Sequence, residues 1–303
     1  MTIFTLTLNP VIDVHFSVNG LRIGAENYTR SMIKIAAGKG VNISRALKRH
    51  GVSAPAFVLS GANSADIYAN MLFDAGIEAV FHTVPGNIRE YVSINDLSGE
   101  TETRVCYRDF SACDDDVLLI GSMLTERLSA GDIVCISGGL PYGVSPDAVA
   151  ALSDLFRSRG AYVVIDCAAL DADSLRRSEP WLIKPNLSEA RALLCICGEL
   201  PDIDADRSGI ARRLTELAQN VLLSLGPDGA IFASRAGALV SLPAVPISHC
   251  YSTVGAGDNL LAGFLFALSA AGFSGNESIS ASLAETALRS GLTFAAEQCS
   301  EKR

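Results

Sequence analysis

The stretch TVGAGDNLLAGFL, Thr253 to Leu265, sets one carboxylate, Asp258, directly behind a Gly-Ala-Gly turn. Leu260, Leu261, Phe264, Leu265 and Leu268 recur at helical spacing, so a helix is expected to begin near Gly257. The small residues Gly255, Ala256 and Gly257 let backbone N–H groups converge at the positive end of that helix, where an anion is stabilised. An aspartate in a first helical turn needs no more reason than its contact with the dipole, worth about 0.3–1 kcal/mol. That contact does not explain two glycines crowding the carboxylate. An amide-lined anion hole beside a carboxylate suits phosphoryl transfer to an alcohol: the amides hold the charge developing on the phosphoryl group, and the carboxylate takes the hydroxyl proton.

Other residues have types that fit such chemistry. Lys39 lies between Gly38 and Gly40, ahead of the helical pattern VNISRALKRHG, where it would join backbone amides at a second helix start. In KPNLSEA, Asn186 and Glu189 stand three apart after Pro185, the spacing of a capping box. Asp13 follows LNPVI and serves either as a hydroxyl acceptor or as an Asx-type turn residue. SLGPDGA, with Ser224, Gly226 and Gly229, reads as a strand ending in a tight hairpin turn. No GxxxxGK[ST] sequence is present, so a P-loop is excluded.

Taken together, TVGAGDNLLAGF, TLNPVID, AAGKGVNISRALKRHG, SGGLP, KPNLSEA and SLGPDGA resemble, in order, the motifs of the ribokinase-like (PfkB) carbohydrate kinases, from Thr7 to Gly263. The lysine of GKGVN and the opening LNPVID are most similar to the branch that contains 1-phosphofructokinase and tagatose-6-phosphate kinase. The resemblance implies ATP with Mg²⁺ as donor and a phosphorylated ketohexose as acceptor, foremost fructose 1-phosphate going to fructose 1,6-bisphosphate, with tagatose 6-phosphate as the alternative. A sugar-phosphate-binding protein without turnover is the rival of another class.

Residue by residue, the resemblance implies Asp258 as base and Gly255, Ala256 and Gly257 as the anion hole. Lys39, Arg89 and Arg104 would contact the acceptor's phosphate, with Arg108 a weaker candidate. Asp13 and Asn42 would meet sugar hydroxyls, and Gly38 and Gly139 would allow close backbone approach. Asn186 and Glu189 would orient water around Mg²⁺, while Ser224, Gly226 and Gly229 would bring backbone against the nucleotide. Three residues depart from the family pattern: Ala37 in place of glycine, Tyr91 in place of asparagine and Asn259 in place of serine. A positive φ at Ala37 would cost about 1–2 kcal/mol.

Positioning these residues requires a large core, and 303 residues at 49% hydrophobic and 19% charged supply one. DIVCIS precedes SPDAVAALSDLFRSRG, AYVVIDC precedes ADSLRRS, and NVLLSLG follows IARRLTELAQ. Continuous apolar strands alternating with helices predict an α/β fold, a Rossmann-like, doubly wound, mostly parallel sheet. DVHFSVNG and EYVSINDLSGETETRVCY instead alternate apolar and polar residues, with turn chemistry at Asn19-Gly20 and Ser98-Gly99. They predict antiparallel strands with one solvated face, a small β-lid over about 11–35 and 87–110 on a single kinase domain, 1–303. A second subunit is one way to cover the edges of such a lid, giving a homodimer.

A net charge of −9 without a basic run argues against a nucleic-acid surface. The longest apolar run, Leu260 to Ala271, falls short of the roughly 20 residues of a membrane span. The eight cysteines lack CxxC spacing and read as reduced, mostly buried thiols of a cytoplasmic protein, consistent with the absence of a charged segment before an apolar one at the start. Asp114 to Asp116 reads as a solvated turn.

Overall fold

The β-branched runs form strands buried along their whole length: Ile3–Thr7, Ala56–Gly61 and Ile133–Ser137 expose no residue. Strands of that kind need cover on both faces. The computed structural model, which describes residues 1–29, 31–99, 101–107, 110–195, 206–273 and 278–301, shows that cover. In chain order the elements are β1 (Ile3–Thr7), β2 (Val11–Val18), β3 (Ser31–Ala37), α1 (Lys39–Arg49), β4 (Ala56–Gly61), α2 (Ala65–Asp74), β5 (Ala79–Val84), β6 (Arg89–Asp96) and β7 (Thr101–Cys106). There follow α3 (Asp114–Thr125), β8 (Ile133–Ser137), α4 (Pro146–Arg157), β9 (Tyr162–Asp166), α5 (Ala172–Ser178), β10 (Leu182–Ile183), α6 (Leu187–Leu193) and α7 (Arg207–Leu214). The chain closes with β11 (Asn220–Ser224), β12 (Ala230–Ser234), β13 (Leu239–Leu242), α8 (Ala256–Ala270) and α9 (Ala281–Ser300).

Among the described residues the main sheet has nine strands in the order β13-β12-β11-β10-β9-β8-β1-β4-β5, and only the β11–β12 and β12–β13 pairs are antiparallel. Alternation along β8 divides the core. Val134 and Ile136 pack with α3, α4 and α7, whereas Ile133 and Cys135 pack with α1, α8 and α9. This is the doubly wound, mostly parallel α/β fold expected from the strand–helix alternation. The chain leaves β1 toward β4 on one side and returns to β8 on the other, so the switch point lies at the carboxyl ends of β1 and β8, where open α/β sheets bind ligands.

The helices α8 and α9 pack so closely that glycine is required between them. A Cβ on Gly263 would fall 2.7 Å from the Ser290 carbonyl oxygen, and one on Gly291 would fall 2.5 Å from that of Leu260. This contact holds the start of α8 rigidly against the last helix.

A second sheet of four strands, β3-β2-β6-β7, stands beside the first. Its β2–β3 and β6–β7 pairs are antiparallel as expected, but β2 and β6 run parallel, from Val11 opposite Arg89 to Val18 opposite Asp96. The alternating pattern of such strands reports a solvated face and carries no information on direction. Near the base of this sheet, Ile12, Val14 and Val41 share an apolar cluster with Tyr68 and Leu72 of α2.

Two local expectations are corrected, and a third, the start of α8 near Gly257, is met to within one residue. The Asp114–Asp116 run opens α3 instead of forming a solvated turn: Asp116 accepts from the Cys113 N–H and Asp114 from Ser145. The first helical residue of α8 is Ala256, with Gly255 as its cap at φ 80°. Among the described cysteines, Cys106, Cys113, Cys195 and Cys250 are exposed and Cys135 alone is fully buried; Cys197 lies outside the described residues.

Candidate active site

A cleft of about 1070 Å³ opens between the carboxyl ends of the main sheet and the four-stranded sheet. It is lined by fifteen of the sixteen residues expected from the sequence: Asp13, Gly38, Lys39, Asn42, Arg89, Arg104, Asn186, Glu189, Ser224, Gly226, Gly229, Gly255, Ala256, Gly257 and Asp258. Gly139 does not line it. The glycine of SGGLP that the backbone requires is Gly138, at φ 107°, whose N–H donates to the Asp166 carbonyl at 2.9 Å; a Cβ on Gly139 would meet nothing within 4 Å. Arg108 lies outside the described residues.

Asp258 sits in the first turn of α8 and is only 6% exposed. Its carboxylate accepts from Asn42 Nδ2 at 2.8 Å. Burial, reinforced by the charge of Asp166, pushes its pKa up to about 6, against the pull of Asn42, Lys184 and Lys39. The Ala256 N–H turns back onto the Thr253 carbonyl at 3.2 Å, so of the three amides expected to face an anion, those of Gly255 and Gly257 remain for that task. Asn42 was expected beside sugar hydroxyls. It lines the cleft and donates to the carboxylate, with its own Oδ1 accepting from Arg45 at 3.2 Å.

Lys39, the first residue of α1, reaches away from the four-stranded sheet to Asp166 Oδ1 at 2.8 Å. On the far side Lys184 approaches Asp166 Oδ2 at 3.2 Å, and both Lys184 and Asp166 are buried. Burial alone would lower the Lys39 pKa, but the Asp166 carboxylate outweighs it and holds Lys39 above the ordinary lysine value. Two ammonium groups to one carboxylate leave net positive charge beside Asp258. A Cβ on Gly257 would lie 3.2 Å from Lys184 Nζ, so the second cation sits directly against the Gly255–Gly257 turn.

The opposite wall carries Arg89. Its Nε donates to the Pro10 carbonyl at 3.1 Å, Nη2 to the Asn9 carbonyl at 3.0 Å and Nη1 to the Tyr91 hydroxyl at 2.7 Å. All three partners are neutral, so the guanidinium is fixed in place with its full charge directed to the cleft. Tyr91, a departure from the family pattern, therefore acts as a support for Arg89. Arg104 lies further out and approaches Glu102 at 3.8 Å. Ala37 ends β3 opposite Val11 without positive φ, so its replacement of glycine carries no strain. Gly38 does need its type: φ is 136° and a Cβ would meet Thr7 Cγ2 at 2.8 Å.

At the other end of the cleft the Asn186–Glu189 capping box is formed, each side chain accepting from the other's backbone N–H at 2.9 Å. Ser224 joins that loop through its N–H to the Pro185 carbonyl at 3.0 Å. The two glycines of SLGPDGA differ. Gly226, at φ 60°, has open space where a side chain would be, whereas a Cβ on Gly229 would run into the Leu242 carbonyl at 2.1 Å. Gly229 is thus required by the neighbouring strand.

A family model described as "pfkB family carbohydrate kinase" matches residues 8–303. The chain belongs to the pfkB family of carbohydrate kinases. A relative named 1-phosphofructokinase from Haemophilus influenzae is 31% identical over 269 residues, 88% of this chain and 83% of the relative. One of the same name from Bacillus subtilis is 28% identical over 88% of this chain and 86% of the relative. Phosphofructokinase-2 from Escherichia coli, at 23% identity, superposes with a TM-score of 0.86 over 100% of this chain and 94% of its own, which shows the shared fold.

Two residues of this pfkB-family site escaped the sequence reading, Asp166 and Lys184. Both carry signals. Asp166 ends β9 and Lys184 follows β10, the carboxyl ends at which doubly wound sheets place ligands. Lys184 also stands inside the KPNLSEA motif, one residue before Pro185.

Proposed function

We propose that this carbohydrate kinase transfers the terminal phosphoryl group of ATP to a hydroxyl of a ketohexose phosphate, foremost fructose 1-phosphate, giving fructose 1,6-bisphosphate. The observation that carries the reading is the placement of Asp258: a buried carboxylate with its pKa near 6, at an amide-capped helix start, facing a cleft whose other wall presents Arg89. A base of that strength is ionised at neutral pH and still takes a proton as the alcohol oxygen attacks. The relatives named 1-phosphofructokinase support the acceptor.

The cations divide the work. Arg89 and Arg104, on the four-stranded sheet, hold the phosphate that the acceptor already carries. Lys39 was expected to share that task, but its bond to Asp166 keeps it near Asp258, where it and Lys184 face the phosphoryl group in transit. Asp13, buried at the edge of the same cleft, accepts from sugar hydroxyls. The amides of Gly255 and Gly257 take up charge on the transferred group.

Among the described residues no group of three or more His, Cys, Asp or Glu comes together to hold a metal by itself. The cleft offers two separate oxygen donors, Glu189 and Asn186, which fits Mg²⁺ held chiefly by nucleotide phosphates and water. When bound, Mg²⁺ would offset the charge of those phosphates. Open space at Gly226 receives the nucleotide's backbone-facing edge. The four-stranded sheet serves as a lid that excludes water, and its outer face as a contact for a second copy. No helix among the described residues is long and apolar enough to cross a membrane.

The test is ADP release from ATP with fructose 1-phosphate, tagatose 6-phosphate and fructose 6-phosphate, with and without Mg²⁺. Mg²⁺-dependent turnover, fastest on fructose 1-phosphate, is expected. Faster turnover of tagatose 6-phosphate would replace the acceptor, and binding of a phosphosugar with no turnover would replace the enzyme by a sugar-phosphate binder.

A further inference from the structure

Behind the anion hole, on the side away from the cleft, lies a buried polar network that the chemistry above does not use. Asn259, one residue past the base, and Gln298, near the end of α9, are 3% and 4% exposed. Arg49, at the end of α1, donates from Nη2 to both: to Asn259 Oδ1 at 2.8 Å and to Gln298 Oε1 at 3.0 Å. Its Nη1 pairs with Glu301 at 2.7 Å, which anchors the guanidinium.

An arginine is a donor only, so it admits one orientation of each amide. With both amide oxygens turned to Arg49, both NH₂ groups must face the other way. Asn259 Nδ2 then donates to the Gly255 carbonyl at 2.8 Å, and Gln298 Nε2 to the Val254 carbonyl at 3.3 Å. These are the two carbonyls of the turn that forms the anion hole.

A trans peptide is planar, and its C=O and N–H point in opposite directions. The carbonyl of Val254 shares a peptide with the N–H of Gly255. Holding that carbonyl from behind turns the Gly255 N–H forward, into the cleft. Gly255 is itself in the left-handed region, where a glycine peptide flips readily unless something fixes it.

We infer that Gln298 is a positioning residue for phosphoryl transfer: oriented by Arg49 and packed against Asn259, it holds the Val254–Gly255 peptide so that the Gly255 amide meets the transferred phosphoryl group. This rests on the kinase reading. It also gives a physical role to Asn259, the residue that departs from the family pattern: its amide pins the Gly255 carbonyl and touches Gln298 Oε1 at 3.4 Å.

The test compares wild type with Gln298→Met, which keeps the bulk and removes the donor, and Gln298→Glu, which turns an acceptor onto the Val254 carbonyl. Arg49→Met is the second variant; Arg49 is partly exposed, so this change is tolerated if the buried ones prevent folding. Melting temperatures are measured first, and kcat and both KM values are then taken well below them. Losing one oxyanion donor outright costs about 10²–10³ in kcat, so a misdirected one should cost about tenfold or more, with both KM values within about twofold.

A folded variant with wild-type kcat overturns the proposal. So does a rise in both KM values at unchanged kcat, which is what a purely structural effect on the cleft would give. Should the wild type turn over no phosphosugar, the kinase reading fails on its own, and binding of inorganic phosphate by calorimetry decides the positioning role. Weaker binding in the variants supports it, and equal binding overturns it.

Discussion

Asn42 Nδ2 lies 2.8 Å from Asp258 Oδ2, across 216 residues of sequence, and joins the start of α1 to the start of α8. Each helix begins at a positive-φ glycine, Gly38 and Gly255, and each places its first turn against the cleft. The Asp258 carboxylate is thus held by a neutral donor that steadies it without pairing off its charge. Burial and Asp166 raise its pKa, and the lysines nearby limit the rise.

This balance sets the pH dependence. Asp258 must be ionised to accept a proton, so kcat/KM should climb with pH through about 6 and level off above it. Stability runs the other way. From the ordinary aspartate range up to about 6 the folded protein keeps a proton that the unfolded chain has released, so stability falls as pH rises through that window. Asp258→Asn removes this cost, and its melting temperature at pH 8 should exceed that of the wild type. A pH–rate profile and paired melts check both; a flat profile from pH 5 to 8 would contradict the assignment.

Arg89 is held by the Asn9 and Pro10 carbonyls and the Tyr91 hydroxyl, so its fork is in place before any ligand arrives. A hydrogen bond to a charged group contributes about 1.5–3 kcal/mol. Arg89→Met should therefore raise the KM for the phosphorylated acceptor about 10- to 100-fold and leave the KM for ATP unchanged. Tyr91→Phe should do the same more weakly, because two of the three supports remain. Steady-state kinetics with each substrate varied separately would show whether the loss falls on the acceptor side.

The motifs that could be read from sequence are those whose chemistry is local. Gly255-Ala256-Gly257-Asp258 declares itself because the turn and the charge are adjacent, and Asn186 and Glu189 because a capping box has a fixed spacing. Lys39 and Asp166 are 127 residues apart and meet only because β1 and β9 flank β8, so their ion pair has no local signature. The same holds for Asn42 and Asp258. Fold class was legible from continuous apolar strands alternating with helices. Parallel pairing of β2 with β6 was not, since a period of two looks the same in either direction. Gly229 lines the cleft as expected from the sequence, but its second constraint was not legible: the obstacle to a side chain there is the Leu242 carbonyl, on a strand whose approach the sequence does not announce.

The four-stranded sheet ends in β3 and β7, and each of these edge strands exposes an apolar residue among its polar ones. Met32 and Val105 are 56% and 58% exposed, with Tyr28 and Leu97 exposed nearby. An apolar face of this kind on a stable protein is expected to be covered. A dimer through this sheet should appear in sedimentation of the wild type, and Met32→Lys with Val105→Lys should give a monomer whose melting temperature, measured at low concentration, is unaltered. A wild-type monomer at high concentration would refute the contact.

Asp258 as the base is the central claim, and Asp258→Asn tests it with the least disturbance, since the amide keeps the size of the carboxylate and its contact with Asn42. Rapid-quench single-turnover transfer from ATP to fructose 1-phosphate should slow by about 10²–10⁴-fold, the usual contribution of a general base, with the affinities for both substrates preserved. Transfer at the wild-type rate would remove Asp258 from the chemistry and with it the account of the site.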